Sequence, residues 1–167
     1  DIFAHDNVRI KFLPLHGNLT PSEQKQVFQP AKHNEIKIVV STNVAEASVT
    51  ITDVTVVIDS CRVKEIDFDK DSQISSLQTR FASKDSLRQR KGRAGRVQEG
   101  RCFRIITTNT YQKLQQHSIP EMLRVPLDNL LLQIASMNIS ENCRQMLRRC
   151  PDPPDSSAID AGVKSLF

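Results

Sequence analysis

The sequence lacks the features that mark membrane-spanning, secreted and zinc-binding proteins. No apolar run reaches the length of about 18 residues that a transmembrane helix needs, so we expect no membrane span. The first residues carry neither the basic start nor the apolar stretch of a signal peptide. The four cysteines are scattered, without a C-x-x-C pair or a His at zinc spacing, which predicts free thiols and no structural metal. These absences favour a reducing compartment, the cytoplasm or the nucleus.

Size and charge place the chain among single-domain proteins with one basic segment. Its 167 residues, 38% apolar and 25% charged, suffice for one α/β domain and a short appendage, but not for two domains. Between Lys84 and Arg104 there are eight basic residues against two acidic ones, a local charge of +6, whereas the remainder carries 15 against 17. Such a positive segment is typical of a phosphate site, although a solvated basic helix would have the same composition.

Apolar periodicity predicts strands alternating with helices over the first two thirds of the chain. The predicted strands cover residues 8–14, 36–41, 54–58 and 102–106, and the predicted helices cover residues 21–28, 44–48, 83–96 and 109–116. Residues 36–41 and 54–58 are apolar runs, so we expect them to be buried on both faces of a sheet. Residues 65–80 alternate locally and predict a projecting β-hairpin. This alternation predicts an α/β fold with an open, mainly parallel sheet and flanking helices.

The pattern changes after Pro120, where apolar residues recur at helical spacing. A proline-rich break at 150–155 precedes a last predicted helix at 157–166. We therefore expect a domain boundary near Ile119, with one domain at 1–119 and the beginning of an all-α domain at 120–167.

The run from Gln89 to Arg96, QRKGRAGR, is the strongest candidate for chemistry. If it is helical, Gln89, Arg93 and Arg96 fall within an arc of about 60°. Gly92 and Gly95 remove bulk around them although glycine costs about 1 kcal/mol in a helix interior. A solvated basic helix explains the arginines but not the glycines, so we expect close approach to an anion, which guanidinium groups bind bidentately.

Two further segments carry polar groups at the ends of predicted strands. Thr42 and Asn43 follow the strand at 36–41, and the turn at Gly17 and Asn18 follows the first strand. Open α/β sheets bind ligands at the carboxyl ends of their strands, where hydroxyl, amide and backbone N–H groups can hold a phosphate backbone.

These segments resemble conserved motifs of the DEAH-box (DEAH/RHA) RNA helicases of superfamily 2. Gln89–Arg96 resembles motif VI, Ser41–Ile51 (STNVAEASVTI) resembles motif V with Ala47 in place of the usual Thr, and Leu15–Gln24 is similar to motif IV. The resemblance implies a second RecA-like domain whose N-terminal strand is missing before Asp1. Pro120–Leu127 is similar to the start of the family's winged-helix domain.

The resemblance also implies roles for individual residues. Gln89 would contact the attacking water or the γ-phosphate, and Arg93 and Arg96 would be arginine fingers that reach across a cleft between domains. The implied nucleotide contacts are Arg62, stacked on adenine, with Thr50, Asp53 and Gly92. The implied RNA contacts are Thr42, Asn43, Gly17 and Asn18, and no residue is a metal ligand.

The implied function is that of the C-terminal domain of an ATP-dependent RNA helicase. It would use ATP or another NTP with Mg²⁺, held mainly by the first RecA-like domain of the same polypeptide. Single-stranded RNA and accessory activator proteins are the other implied partners, with no membrane. The sequence contains neither a G-x-x-x-x-G-K-[ST] loop nor a D-E-x-H box, so we expect it to be inactive alone. Two alternatives stay open: a non-catalytic nucleic-acid-binding scaffold derived from a helicase, and a DNA helicase of the same superfamily.

Overall fold

The computed structural model describes residues 8–47, 50–69, 74–137 and 142–166. By contacts the chain divides into two compact units. The first runs to Val63 and resumes at Phe81–His117, and the second comprises Lys64–Arg80 and the chain from Ser118 onward. A domain boundary near Ile119 stays a prediction.

The described elements alternate as the sequence predicts and become helical after Pro120. In chain order they are β1 (Arg9–Leu15), α1 (Pro21–Phe28), β2 (Glu35–Ser41), a 3-10 helix (Asn43–Glu46), β3 (Val56–Asp59), β4 (Arg62–Asp69), β5 (Ile74–Phe81), α2 (Lys84–Lys91), β6 (Arg101–Arg104), α3 (Thr108–Gln112), a second 3-10 helix (Glu121–Leu123), α4 (Asp128–Ser136), α5 (Cys143–Arg148) and α6 (Ser156–Leu166). The α/β class, with parallel strands and flanking helices, is confirmed.

The first unit contains two parallel strand pairs. β1 pairs with β2, with Leu15 opposite Ser41 at the carboxyl ends. β3 pairs with β6, with Asp59 opposite Arg104. Helix α1 packs on β1, and α2 packs on β3. The parallel pairing therefore brings the turns that follow β1 and β2 to the same edge.

Helix α1 begins and ends as its local signals predict. Thr20 Oγ1 accepts a hydrogen bond from Glu23 N at 3.4 Å, and Glu23 Oε2 accepts one from Thr20 N at 2.8 Å. This is a capping box followed by Pro21 in the first turn. The helix stops at Phe28, two residues before Pro30, because the residue before a proline disfavours the helical conformation.

The buried ammonium group of Lys37 ties α1 to the sheet. Its side chain is 5% exposed, and Nζ donates to Val27 O at 3.0 Å and to Gln29 O at 2.9 Å. Its third bond goes to Asp53 Oδ1 at 2.6 Å. Lys37 thereby satisfies two carbonyls at the end of α1, where a positive charge also complements the helix dipole.

The prediction that two strands are buried on both faces is wrong for the described part of the chain. Val39 packs against the core formed by Leu13, Leu15 and Val27, but Val40 in the same strand is 64% exposed. In β3, Ile58 is 71% exposed. Side chains alternate between the faces of a strand, and the described helices cover only one of them.

The helix expected at 109–116 ends at Gln112. Instead of continuing it, Gln115 O accepts a hydrogen bond from Lys84 N at 2.9 Å, and Gln116 O accepts one from Asp85 N at 3.1 Å. These carbonyls satisfy N–H groups of the first turn of α2, which have no partner within their own helix.

The second unit contains the hairpin and the C-terminal helices. β4 pairs with β5 as predicted for the hairpin at 65–80, whereas residues 70–73 between them lie outside the described residues. The helical core consists of Leu127, Leu131, Ile134, Leu147 and Ile159. Gly162 lets α6 approach α4 closely, because a Cβ there would lie 2.8 Å from Leu131 Cδ1. The start of a winged-helix domain stays a prediction. No helix in the described ranges is both long and apolar enough to cross a membrane.

Candidate nucleotide and nucleic-acid site

The four predicted RNA-binding residues gather at one edge of the β1–β2 pair. Gly17 and Asn18 follow β1, and Thr42 and Asn43 follow β2. The two strand ends are tied together because Thr42 N donates to Leu15 O at 3.1 Å. All four residues are exposed, so their polar groups are open to a ligand.

The segment after β2 forms a 3-10 helix rather than the helix expected at 44–48. Thr42 caps it, with Oγ1 accepting a hydrogen bond from Val44 N at 3.4 Å. Ser48 and Val49, part of the motif V segment, lie outside the described residues. Gly17 has nothing within 4 Å of where a Cβ would stand, so a ligand has room to approach the main chain there.

Helix α2 ends earlier than the sequence predicts, and the placement of Arg93 and Arg96 on it is wrong. The helix stops at Lys91, and Gly92 caps it by donating to Arg88 O at 3.0 Å. Gly95 adopts a φ of +85°, a conformation in which side chains are strained. The glycines therefore end the helix and turn the chain, which explains their presence better than close packing on a continuous helix.

The loop that follows α2 folds tightly on itself at Gly100. A Cβ at Gly100 would lie 2.5 Å from Gly95 N and 2.7 Å from Ala94 Cβ. No real Cβ tolerates such distances, so glycine is required here. The tight contact fixes the path of the backbone between Arg93 and Arg96.

The structure brings Arg93, Arg96 and Thr50 together. Arg96 Nη1 donates a hydrogen bond to Thr50 Oγ1. Arg93 is half-buried, and its Nε donates to Gln89 O at 3.3 Å. Burial and the nearby charge of Arg96 lower the pKa of Arg93. Arginine remains charged in proteins, so two neighbouring cations create a positive field suited to a polyanion.

Arg90 lies among the candidate site residues, although the motif spacing does not single it out. Its side chain is 14% exposed, with Nε 3.0 Å from Glu46 Oε2 and Nη1 3.1 Å from Asp59 Oδ1. Nη1 also donates to Arg62 O at 3.0 Å. Arg90 is the one arginine of QRKGRAGR outside the predicted arc. On the predicted helix it therefore points away from Arg93 and Arg96. An acidic residue within motif V, Glu46, was the available hint of a partner for it.

The charges around Arg90 stabilise one another. Burial alone would lower the pKa of Arg90, but the hydrogen bonds and charges of Glu46 and Asp59 outweigh it and raise that pKa. Asp59 is 5% exposed, and its Oδ1 also accepts a hydrogen bond from Cys61 N at 2.8 Å. Removing one charge would therefore leave its partner buried and uncompensated.

Arg62, the predicted adenine contact, forms an exposed planar surface. Its guanidinium lies 4.8 Å from the ring centroid of Phe81, a cation–π contact. Its backbone carbonyl is the acceptor for Arg90. An adenine contact by Arg62 stays a prediction.

Asp53 has structural partners in this structure. Its Oδ1 accepts a hydrogen bond from Lys37 Nζ, and its Oδ2 accepts one from Ala31 N at 2.9 Å. Burial would raise the pKa of Asp53, but these hydrogen bonds outweigh it and lower that pKa. A ribose contact by Asp53 stays a prediction, and so does a nucleotide contact at Gly92.

Metal-ligating side chains are not clustered in the part of the chain that the structure describes. Three or more His, Cys, Asp or Glu side chains do not gather anywhere in the described ranges in a way that would hold a metal. Asp59, which is buried, and Glu46, which is half-buried, both form ion pairs with Arg90.

Comparison with known proteins finds a matching family model and several similar proteins. Residues 1–98 match the family model described as "Helicase conserved C-terminal domain". The chain is 37% identical over 164 residues to the DExH-box ATP-dependent RNA helicase DExH1 of Arabidopsis thaliana, covering 98% of this chain and 16% of that protein. It is 39% identical over 159 residues to the ATP-dependent DNA/RNA helicase DHX36 of Rattus norvegicus, and the match covers 95% of this chain and 16% of that protein.

A solved structure shows the same fold. The E. coli DExH-box NTPase HrpB superimposes with a TM-score of 0.76 at 29% identity, over 94% of this chain and 19% of that chain. The chain thus spans less than a fifth of the length of each of these three proteins.

Proposed function

Because this chain belongs to the helicase conserved C-terminal domain family, among the DEAH-box helicases of superfamily 2, we propose that it is the second RecA-like domain of an ATP-dependent RNA helicase. In this role it supplies arginine fingers for NTP hydrolysis and RNA-backbone contacts for translocation and unwinding. The first RecA-like domain of the same polypeptide, single-stranded RNA and accessory activator proteins are its partners, in the cytoplasm or the nucleus.

The observation that carries the proposal is the meeting of two distant segments. Arg96 is bonded to Thr50, 46 residues away in sequence, and Arg93 lies close enough to Arg96 for its pKa to fall. These two guanidinium groups and the hydroxyl group beside them form a set of hydrogen-bond donors suited to a nucleoside triphosphate. A module that only binds nucleic acid has no need of such a set beside Gln89.

The proposed chemistry is attack of water on the γ-phosphate. Gln89 orients the water, while Arg93 and Arg96 stabilise the negative charge that develops on the transferred phosphoryl group. Fixed cations lower the barrier because they need no reorganisation as the charge forms. An arginine finger of this kind contributes about 10³ to 10⁵ in rate. Mg²⁺ would be held mainly by the first RecA-like domain, so the groups that this chain supplies to phosphoryl transfer are Gln89, Arg93 and Arg96.

The proposed RNA contacts lie at the carboxyl edge of β1 and β2. Thr42 and Asn43 offer a hydroxyl and an amide, while Gly17 and Asn18 offer backbone N–H groups in open space. Such groups contact the phosphates and sugars of a strand without reading its sequence. We therefore expect binding that depends on salt and is nearly independent of base sequence.

The test is ATP hydrolysis by the full-length protein with and without homopolymeric single-stranded RNA. We expect RNA to stimulate hydrolysis, and Thr42→Ala to weaken that stimulation. Hydrolysis that is absent under both conditions would support the scaffold alternative. Equal stimulation by single-stranded DNA would support a helicase acting on both nucleic acids, as the name of the rat relative states for that protein.

A further inference from the structure

Arg90 joins three segments that the proposed function uses separately. Through Glu46 it contacts the 3-10 helix that begins at Asn43 and is capped by Thr42, the two proposed RNA contacts after β2. Through the carbonyl of Arg62 it contacts the residue predicted to stack on adenine. Its own helix, α2, leads directly into the loop that carries Arg93 and Arg96.

The contacts of Arg90 are rigid enough to transmit a displacement. The guanidinium is planar and its donors point in fixed directions, so a displacement of Glu46 or Asp59 strains the hydrogen bonds that hold Arg90. The 3-10 helix and α2 are also in direct contact. A shift of the segment that holds the RNA backbone therefore pulls on the end of α2.

The network also has room for a second arrangement. In the described residues, Arg90 Nη2 and Asp59 Oδ2 are both buried and have no hydrogen-bond partner. Arginine and a carboxylate commonly pair through two parallel hydrogen bonds, whereas only Asp59 Oδ1 is used here. A small rotation that engages the second pair would change the position of α2 relative to β3. Two discrete arrangements of one buried network are what energetic coupling between sites requires.

We propose that Arg90 is a positioning residue that couples the grip on RNA at Thr42 and Asn43 to the placement of Arg93 and Arg96. The proposal rests on the proposed function. Arg90 itself touches neither nucleotide nor RNA, and it acts by holding Glu46, Asp59 and the carbonyl of Arg62 in register.

The test uses Arg90→Lys and Glu46→Gln in the full-length protein. Lysine keeps the charge but lacks the planar fork, and glutamine keeps the shape of Glu46 but removes its charge. Arg88→Gln is the matched control, since Arg88 lies on the same helix with a side chain that is 73% exposed. The readout is the stimulation factor, the kcat with saturating poly(U) divided by the kcat without RNA. Thermal melting of each variant is measured alongside.

We expect the stimulation factor to fall about 5- to 150-fold in each variant, the range of typical couplings between sites. The double variant should lose no more than the stronger single one, and Arg88→Gln should match the wild type. If both rates fall in proportion to lost stability and the factor is unchanged, Arg90 is only structural and the proposal is overturned. A wild-type protein that RNA does not stimulate would overturn the proposed function and this proposal with it.

Discussion

Gly100 allows a sharp test of how the loop after α2 holds the proposed arginine fingers Arg93 and Arg96. A Cβ at this position would stand 2.5 Å from Gly95 N, and separations under 3.0 Å essentially never occur. Something must shift by about 0.5 Å in the Gly100→Ala protein, and we expect the backbone of Ala94 and Gly95 to take up part of that shift. These residues lie between Arg93 and Arg96, so both guanidiniums move. A misplacement of 1 Å can cost about 10²-fold in rate, so we expect a loss of about tenfold in kcat.

The assay is RNA-stimulated ATP hydrolysis by the full-length protein. Gln98→Ala is the control, because it trims an exposed side chain of the same loop without adding a Cβ. Overpacking should also cost about 1–3 kcal/mol of stability, so kcat is measured well below the melting temperature. A Gly100→Ala protein with the wild-type kcat would refute the reasoning that this glycine positions the fingers.

Two further predictions concern the Lys37–Asp53 pair. Lys37→Met should lower the free energy of unfolding by about 3 kcal/mol. This is the lower end of the range for a broken buried pair, because Asp53 is partly exposed. Urea unfolding of the 167-residue chain measures the loss, and a loss within error of zero would contradict the prediction. The folded-state pKa of Asp53 is lowered, so its contribution to stability is full above its ordinary pKa of about 3.9 and is lost as the pH falls below it. The deficit of Asp53→Asn against the wild type should therefore shrink between pH 6 and pH 3, and a constant deficit would oppose this assignment.

The sequence predicts those parts of the fold that depend on local signals. Helix α1 lies where Thr20, Pro21 and Glu23 place its start and where Pro30 limits its end, because capping and proline sterics act within a few residues. The parallel strands follow from apolar runs alternating with helices. Burial on both faces did not follow, because it depends on which elements cover a sheet, and the described helices leave Val40 and Ile58 exposed.

The site shows the same division between local and distant causes. Motif spacing identifies Gln89, Arg93 and Arg96 as neighbours, but a helical wheel cannot show that Gly92 ends α2 and that Gly95 takes a positive φ. The pairing of Arg90 with Glu46, 44 residues away, arises only from tertiary packing. Asp53 is brought to its two partners, Lys37 and Ala31, by packing in the same way.

The central claim is that this chain supplies arginine fingers to a phosphoryl-transfer site. It is tested most directly by single-turnover release of phosphate from ATP in full-length Arg93→Ala at saturating single-stranded RNA, with ADP binding measured on the same protein. If Arg93 is an arginine finger, the rate falls at least about 10³-fold below the wild type and ADP binding is retained. Phosphate release near the wild-type rate would contradict it.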